Sequence, residues 1–160
     1  MPWTNPETFT AGQTLTAASM NAISENTRSL ARGYIARAEL SASQSGITTT
    51  TDLTGGSVTF TAEANRYYRI FGSVLIGASG ANTAAQLAIR EGSTTHAASI
   101  SSIVNGEYET IIASRVMTFS AGSKTLKLSL LRQSGAGTLL TIIDATARPD
   151  YLLIEDIGPA

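Results

Sequence analysis

The sequence predicts a mainly β protein: an antiparallel jelly-roll β-sandwich of eight or nine strands, preceded by an extended N-terminal arm and one short helix. From Ile47 onward, apolar and polar residues alternate in short runs with a period of two, which is typical of half-buried strands. Glycine, asparagine and proline residues separate these runs, and no run has helical periodicity. Many short strands without intervening helices favour a sandwich over an α/β fold.

Residues 1–15 form the predicted attachment arm. Pro2 and Pro6 fix φ and disfavour helix at the residue before them, so this segment is expected to be extended. Trp3 and Phe9 are its isolated aromatic residues, and large aromatic side chains dominate both cores and interfaces. They are therefore candidates for anchoring the chain to a neighbouring protein, and the alternative is that they fold back on their own head.

Residues 16–33 are predicted to form the helix, with Thr14 or Thr16 as its cap and Gly33 as its end. Apolar residues recur in it at alternating steps of three and four, the spacing of a short coiled-coil seam. Because a helix of this length is marginal alone, it is expected to pair with its own copies around an oligomer axis, or else to pack on its own head. The seam consists of Met20, Ile23, Thr27, Leu30 and Tyr34.

The remaining chain divides into a connecting strand and loop, residues 34–46, and a head, residues 47–160. Within the head, the dipeptide Asn105-Gly106 is the strongest signal for a two-residue hairpin, because both residues tolerate positive φ. The predicted strands of the head are 47–53, 57–62, 66–78, 84–91, 97–104, 108–119, 125–132, 139–145 and 150–157.

Some of these strands are expected to have one solvent-exposed face, such as the strand in which Lys127 and Ser129 alternate with leucines. Others are apolar on both faces. An outer sheet face this apolar has to be covered, and with no helix in the head the expected cover is another copy of it. The residues assigned to this oligomer interface are Tyr67, Phe71, Leu75, Leu140, Ile142, Leu152 and Ile154.

The composition is that of a protein held in an assembly. Apolar residues make up 42% of the chain and charged residues 14%, against about a quarter in ordinary soluble proteins. The net charge of −1 and the scattered arginines argue against nucleic-acid binding. No apolar run approaches the roughly 20 residues that span a bilayer, so no membrane insertion is expected. The absence of cysteine rules out a disulfide framework.

No arrangement of residues predicts catalysis, a cofactor or a metal. His96 is the only histidine and lies in no nucleophile motif, so it is expected to have no chemical role. Glu107 and Glu109 would form a hydrolase pair only if their strand lined a cleft. Carboxylates near the C-terminus lack the spacing of an EF-hand and are expected to be solvated or salt-bridged. They are Asp144, Asp150, Glu155 and Asp156.

Both ends of the chain resemble a known group of proteins. Pro2-Trp-Thr, then Phe9-Thr-Ala-Gly-Gln-Thr-Leu-Thr-Ala-Ala-Ser-Met-Asn, resembles the N-terminal signature of small structural proteins of tailed bacteriophages. The ending Arg148-Pro-Asp-Tyr-Leu-Leu-Ile-Glu-Asp-Ile-Gly-Pro is similar to their final strand. Ala121-Gly-Ser-Lys-Thr-Leu-Lys-Leu resembles the trimeric tumour-necrosis-factor-like jelly rolls found on phage virions. The resemblance implies a homotrimeric virion protein on the exterior of the phage particle.

Three classes of function remain open at this point. The first is a non-enzymatic virion protein, either a capsid decoration or head-fibre protein or a minor tail protein or tail fibre, whose partners are its own copies and other capsid or tail proteins. The second is a carbohydrate-binding β-sandwich module that recognises a glycan of the host surface. The third is an enzyme such as a depolymerase, for which the sequence offers only Glu107 and Glu109.

Overall fold

The computed structural model describes residues 16, 18, 20, 21, 33–143 and 150–160. This part of the chain is nearly all antiparallel β-structure in two sheets, which confirms the predicted fold class. Its strands are β1 (Gly33–Glu39), β2 (Thr51–Ala62), β3 (Arg66–Ser79), β4 (Thr83–Glu91), β5 (Thr94–Ile103), β6 (Tyr108–Thr118), β7 (Gly122–Gly135), β8 (Thr138–Thr141) and β9 (Tyr151–Pro159).

The two sheets have the strand orders of a jelly roll. The first sheet has the order β1-β9-β3-β6, and β8 pairs with the end of β3 that β9 leaves free. The second sheet has the order β2-β7-β4-β5. Most consecutive strands therefore alternate between sheets, and the two inner faces meet in one core.

The turn at Asn105-Gly106 is not the tight hairpin that the sequence predicts. It links β5 to β6, which belong to different sheets, and the N–H of Gly106 donates to the carbonyl of Ala78 at 2.9 Å. Gly106 does have a positive φ of 82°. The dipeptide was correctly predicted to turn, but positive φ is compatible with a crossing between sheets as well as with a hairpin. The two-residue hairpin is instead at Gly92-Ser93, between the paired residues Glu91 and Thr94.

The glycines at positions 55 and 56 also differ from prediction. They were expected to separate two strands, yet β2 runs through them as one strand with an irregularity between Asp52 and Ser57. Gly55 has a φ of 83°, and a Cβ there would lie 2.6 Å from the carbonyl oxygen of Glu39. Glycine is needed because the end of β1 passes so close to this bulge.

The core lies between the sheets and is filled by aliphatic side chains, with an aromatic cluster at one end. Leu128 is fully buried, as its alternation with Lys127 predicts. It lies against Gly72 of the opposite sheet, where a Cβ would be 2.5 Å from its Cδ2. The aromatic cluster consists of Phe60, Tyr68 and Phe119, with ring centroids 5.5 to 5.8 Å apart.

Little of the segment before the first sheet is described. Ala18, Met20 and Asn21 are helical, and the N–H of Met20 donates to the carbonyl of Thr16 at 3.0 Å. The arm, residues 1–15, and most of the predicted helix lie outside the described residues. Among the residues that are described, no helix has the length and hydropathy to cross a bilayer.

Candidate functional site

The outer face of the first sheet carries a group of apolar side chains, which we call the apolar face. Its members alternate along each strand with residues of the core, so the pleat directs them away from it. On β6, Ile112 and Val116 point outward, whereas Ile111 and Ala113, on either side of Ile112 in the chain, are buried. The apolar face consists of Phe71, Leu75, Tyr108, Ile112, Val116, Leu140, Tyr151 and Leu153.

Its most exposed members lie on β6, an edge strand. Tyr108, Ile112 and Val116 expose 56%, 50% and 51% of their surface. The aromatic ring of Tyr108 lies above Gly77, where a Cβ would be only 2.6 Å from Cε1 of the ring. An exposed apolar row along a long edge strand is a surface on which another polypeptide can pack.

The centre of the apolar face is aromatic. The rings of Phe71 and Tyr151 are stacked with their centroids 5.7 Å apart and an interplanar angle of 26°. The guanidinium carbon of Arg37 lies 4.5 Å from the centroid of the Tyr151 ring. These contacts hold the rings in fixed positions, so little side-chain entropy remains to be lost when the face is covered.

The ionic groups described on this sheet face are paired with one another. Arg69 of β3 forms an ion pair with Glu155 of β9, and Arg37 of β1 lies 2.7 Å from Glu39. Paired charges can be covered by another protein at lower cost than isolated ones, because each keeps a partner when water is removed. The apolar face is therefore suited to burial against another protein.

The predicted oligomer-interface residues divide between the two sides of the sheet. Tyr67 is exposed on the outer side, where the half-buried Phe71, Leu75 and Leu140 also lie, and Ile142 is half-buried just after β8. The assignment of Leu152 and Ile154 was wrong. Both are fully buried in the core, and their neighbours Leu153 and Ile157 point outward instead. Because β9 is apolar on both faces, its pattern could not distinguish the two sides.

The predicted anchors of the arm and most of the helix seam cannot be placed. Trp3, Phe9, Ile23, Thr27 and Leu30 lie outside the described residues, so their roles stay predictions. In the described part, Met20 is 54% exposed and Tyr34, at the start of β1, is 63% exposed.

His96 and Glu109, two of the titratable residues noted in the sequence, have different partners. His96 is half-buried, with Nε2 3.3 Å from a carboxylate oxygen of Glu91 and its ring 5.5 Å from that of Phe119. Glu109 is exposed and accepts a hydrogen bond from the hydroxyl of Ser101 at 2.7 Å. Within residues 33–143 and 150–160, no three acidic or histidine side chains converge on a point where a metal could bind.

Asp150 is a buried carboxylate immediately before β9. Oδ1 accepts the N–H of Leu75 at 2.9 Å, while Oδ2 has no hydrogen-bond partner among the described residues. Asp150 is only 4% exposed, and this burial raises the pKa of its carboxyl group to about 6. The charged form of Asp150 therefore destabilises the folded protein.

Sequence reasoning missed Ile112 and Val116, although a usable signal was present. The segment 108–118 alternates between outward residues and buried ones, and its outward series contains these two large aliphatic residues. It also missed the buried ion pair between Arg66 and Asp156, whose two members are 90 residues apart. No short-range pattern connects such residues.

Comparison with known proteins identifies similar folds without assigning a family. No protein-family model matches the chain. No curated protein sequence matches it. Solved structures with a similar fold include dimeric latent PorU from Porphyromonas gingivalis, at 11% identity and a TM-score of 0.46, which covers 82% of this chain. The CBM22-1 xylan-binding domain from Paenibacillus barcinonensis has 14% identity and a TM-score of 0.38 over 80% of the chain.

A third similar structure is VP2 of infectious bursal disease virus, as a subviral particle, with 14% identity and a TM-score of 0.43 over 81% of the chain. The matched region spans 13% of PorU and 38% of VP2, but 97% of the xylan-binding domain.

Proposed function

We propose that this protein is a non-enzymatic structural protein of a bacteriophage particle. It forms a homotrimer that is anchored by its N-terminal arm to other capsid or tail proteins and displays its jelly-roll head on the exterior of the virion. It serves as a capsid decoration or head-fibre protein, or as a tail appendage. The observation that carries this proposal is the apolar face, together with the resemblance of both chain ends to tailed-phage structural proteins.

A second copy of the chain is the cover that fits the apolar face best. Its exposed aliphatic residues and stacked aromatic rings are of the apolar and aromatic types that occur in interface centres. The chain carries a net charge of only −1, so its copies repel each other weakly. The predicted helix ends where β1 begins, at an edge of this same sheet. An oligomer axis through the helices would therefore stand next to the sheet that bears the apolar face.

Replacing both Ile112 and Val116 by aspartate should dissociate the oligomer. Burying two unpaired carboxylates would cost several kcal/mol, about the difference between a stable and an unstable assembly. Light scattering should give about three times the 16.7 kDa chain mass for the natural protein and the single chain mass for the variant.

Ile100→Asp is the matched control, because Ile100 is 60% exposed on the outer side of the second sheet. It should leave the mass of the oligomer unchanged. A natural protein that is monomeric at all concentrations would contradict the trimer, and a double variant that stays trimeric would exclude the apolar face as its interface.

Deleting residues 1–14 should abolish incorporation into phage particles while the head remains folded. The deleted segment contains Trp3 and Phe9, the predicted anchors, and precedes the described strands in the sequence. Circular dichroism checks the fold, and gel densitometry of purified particles measures incorporation. Many copies per particle would identify a decoration protein, and few copies a tail appendage. Normal incorporation of the shortened chain would contradict the anchoring role.

A further inference from the structure

The outer face of the second sheet contains a depression of about 250 Å³, lined mainly by polar and small residues. Along β4, Gln86 and Arg90 point outward on either side of Ala88, which alternates with the buried residues Leu87 and Ile89. The short side chain of Ala88 lies opposite Ser129 of β7, and these two residues form the floor. Large side chains at the ends and small ones at the centre create the depression.

Arg90 lines one end of the depression, and Asp52 and Lys127 lie beside it. The carboxylate of Asp52 accepts hydrogen bonds from the hydroxyl of Ser129 and from Nζ of Lys127, both at 2.9 Å. Nη1 of Arg90 lies 4.0 Å from the same carboxylate. Burial raises the pKa of Asp52, but the hydrogen bonds from Lys127 and Ser129 and the charges of Lys127 and Arg90 outweigh it, so the pKa lies below its usual range. This end therefore presents an ionised acceptor beside charged donors.

The other end is an amide pair with an apolar neighbour. Nε2 of Gln133 donates to Oε1 of Gln86, which lines the depression. Half-buried Leu131 lines the same end and provides an aliphatic surface. The depression thus offers donors and acceptors at both ends and apolar contact with Ala88 and Leu131.

These features match a neutral saccharide. Sugar hydroxyls donate and accept hydrogen bonds together, so adjacent hydroxyls can bridge a carboxylate and a guanidinium that lie side by side. The carbon-bound hydrogens of a sugar ring suit contact with Ala88 and Leu131. A strongly anionic ligand would meet Asp52, and a cationic ligand would meet Arg90 and Lys127. A peptide would need a deeper groove or an available strand edge, whereas the floor of this depression belongs to the central strands β4 and β7.

We propose that this depression on the second sheet, lined by Gln86, Arg90 and Ser129, binds a neutral saccharide. The two sheets of the sandwich face in opposite directions. If copies of the chain associate through the apolar face of the first sheet, the depression stays accessible on the outside of the assembly. The site is nevertheless independent of that association, since all the residues named in it belong to one chain.

The test uses the full-length protein on an array of neutral oligosaccharides that contain glucose, galactose, mannose, rhamnose and N-acetylhexosamines. Binding to at least one of them is expected, and the ¹⁵N–¹H resonances that shift on adding that sugar should include those of Ala88, Arg90 and Ser129. Absence of binding across the array, binding restricted to anionic glycans, or shifts confined to another surface would overturn the proposal.

Two substitutions test the site residues. Arg90→Met keeps a long side chain without the guanidinium, and Gln86→Leu keeps the shape without the amide. Each should weaken binding by at least about tenfold, because each removes a polar partner from a desolvated contact. Thr59→Val, on the same sheet face but outside the depression, is the matched control and should leave affinity unchanged.

Thermal unfolding and light scattering check that each variant keeps its fold and mass. Unchanged affinity in both Arg90→Met and Gln86→Leu would overturn the site. A monomeric protein that binds the sugar through these residues would contradict the proposed trimer and leave the site established.

Discussion

Replacing Asp156 by alanine should lower the free energy of unfolding by about 3–5 kcal/mol, the range for breaking a buried ion pair. The carboxylate of Asp156 accepts hydrogen bonds from Nε and Nη2 of Arg66 at 2.6 and 2.8 Å. It also accepts the N–H of Gly158 at 3.0 Å. Arg66 is 4% exposed and Asp156 1% exposed, so the substitution would leave a buried guanidinium without its bidentate partner.

Glu155→Ala is the matched control, because Glu155 is the adjacent residue on β9 and pairs with Arg69 on the outer side of the same sheet. Half-exposed ion pairs contribute about 0–1 kcal/mol, so this change should be nearly neutral. Urea unfolding at one fixed protein concentration measures both variants, since the stability of an oligomer depends on concentration. Equal losses for the two variants would show that the Arg66–Asp156 pair has no special structural role.

The double variant Arg66→Met/Asp156→Leu should recover part of the loss, because apolar side chains of similar volume can replace a buried pair. If the double variant is less stable than Asp156→Ala, the shape of the pair, rather than its charges, stabilises the ends of β3 and β9.

Replacing Asp150 by asparagine should remove a pH dependence of stability between about pH 4 and pH 6. The pKa of Asp150 is raised from 3.8 to about 6 in the folded protein, so the folded state binds its proton more tightly than the unfolded state. Its stabilising contribution is therefore fully present below pH 3.8 and is lost as the pH rises through about 6. The loss corresponds to roughly 3 kcal/mol for the charged form at neutral pH.

Asparagine keeps an oxygen that can accept the N–H of Leu75 and carries no charge. The variant should be more stable than the natural protein at pH 7. The gain should be smaller than the free energy lost through the charge of Asp150, because the amide N–H groups of asparagine also lose water. Unfolding midpoints measured from pH 4 to pH 8 test this expectation. If the stability of the natural protein rises between pH 4 and pH 6 as steeply as that of the variant, this expectation is wrong.

Asp52→Asn provides a contrast of opposite sign. Its pKa is lowered, so its contribution is present above pH 3.8 and is lost as the pH falls below that value. The two aspartates therefore affect the stability in different pH windows. Between pH 4 and pH 6, the slope of stability against pH should change on replacing Asp150 and not on replacing Asp52.

How much could be predicted from the sequence depended on whether a strand has one apolar face or two. In β7, Leu126, Leu128 and Leu130 alternate with polar residues, and all three are in the core as predicted. In β9, both faces are apolar, and Leu152 and Ile154 were placed on the wrong one. The depression on the second sheet was also missed, although Gln86 and Arg90 alternate with buried leucine and isoleucine in β4.

The amino-acid sequence by itself determined that the head is an antiparallel sandwich, because a period of two and the spacing of turn residues are local properties of the chain. Only the tertiary structure decided which side of β9 is inside, because that depends on a register set by β3 and by the pairing of Arg66 with Asp156. It also decided that Asn105-Gly106 crosses between sheets, since a turn dipeptide specifies φ and not the partner of the next strand.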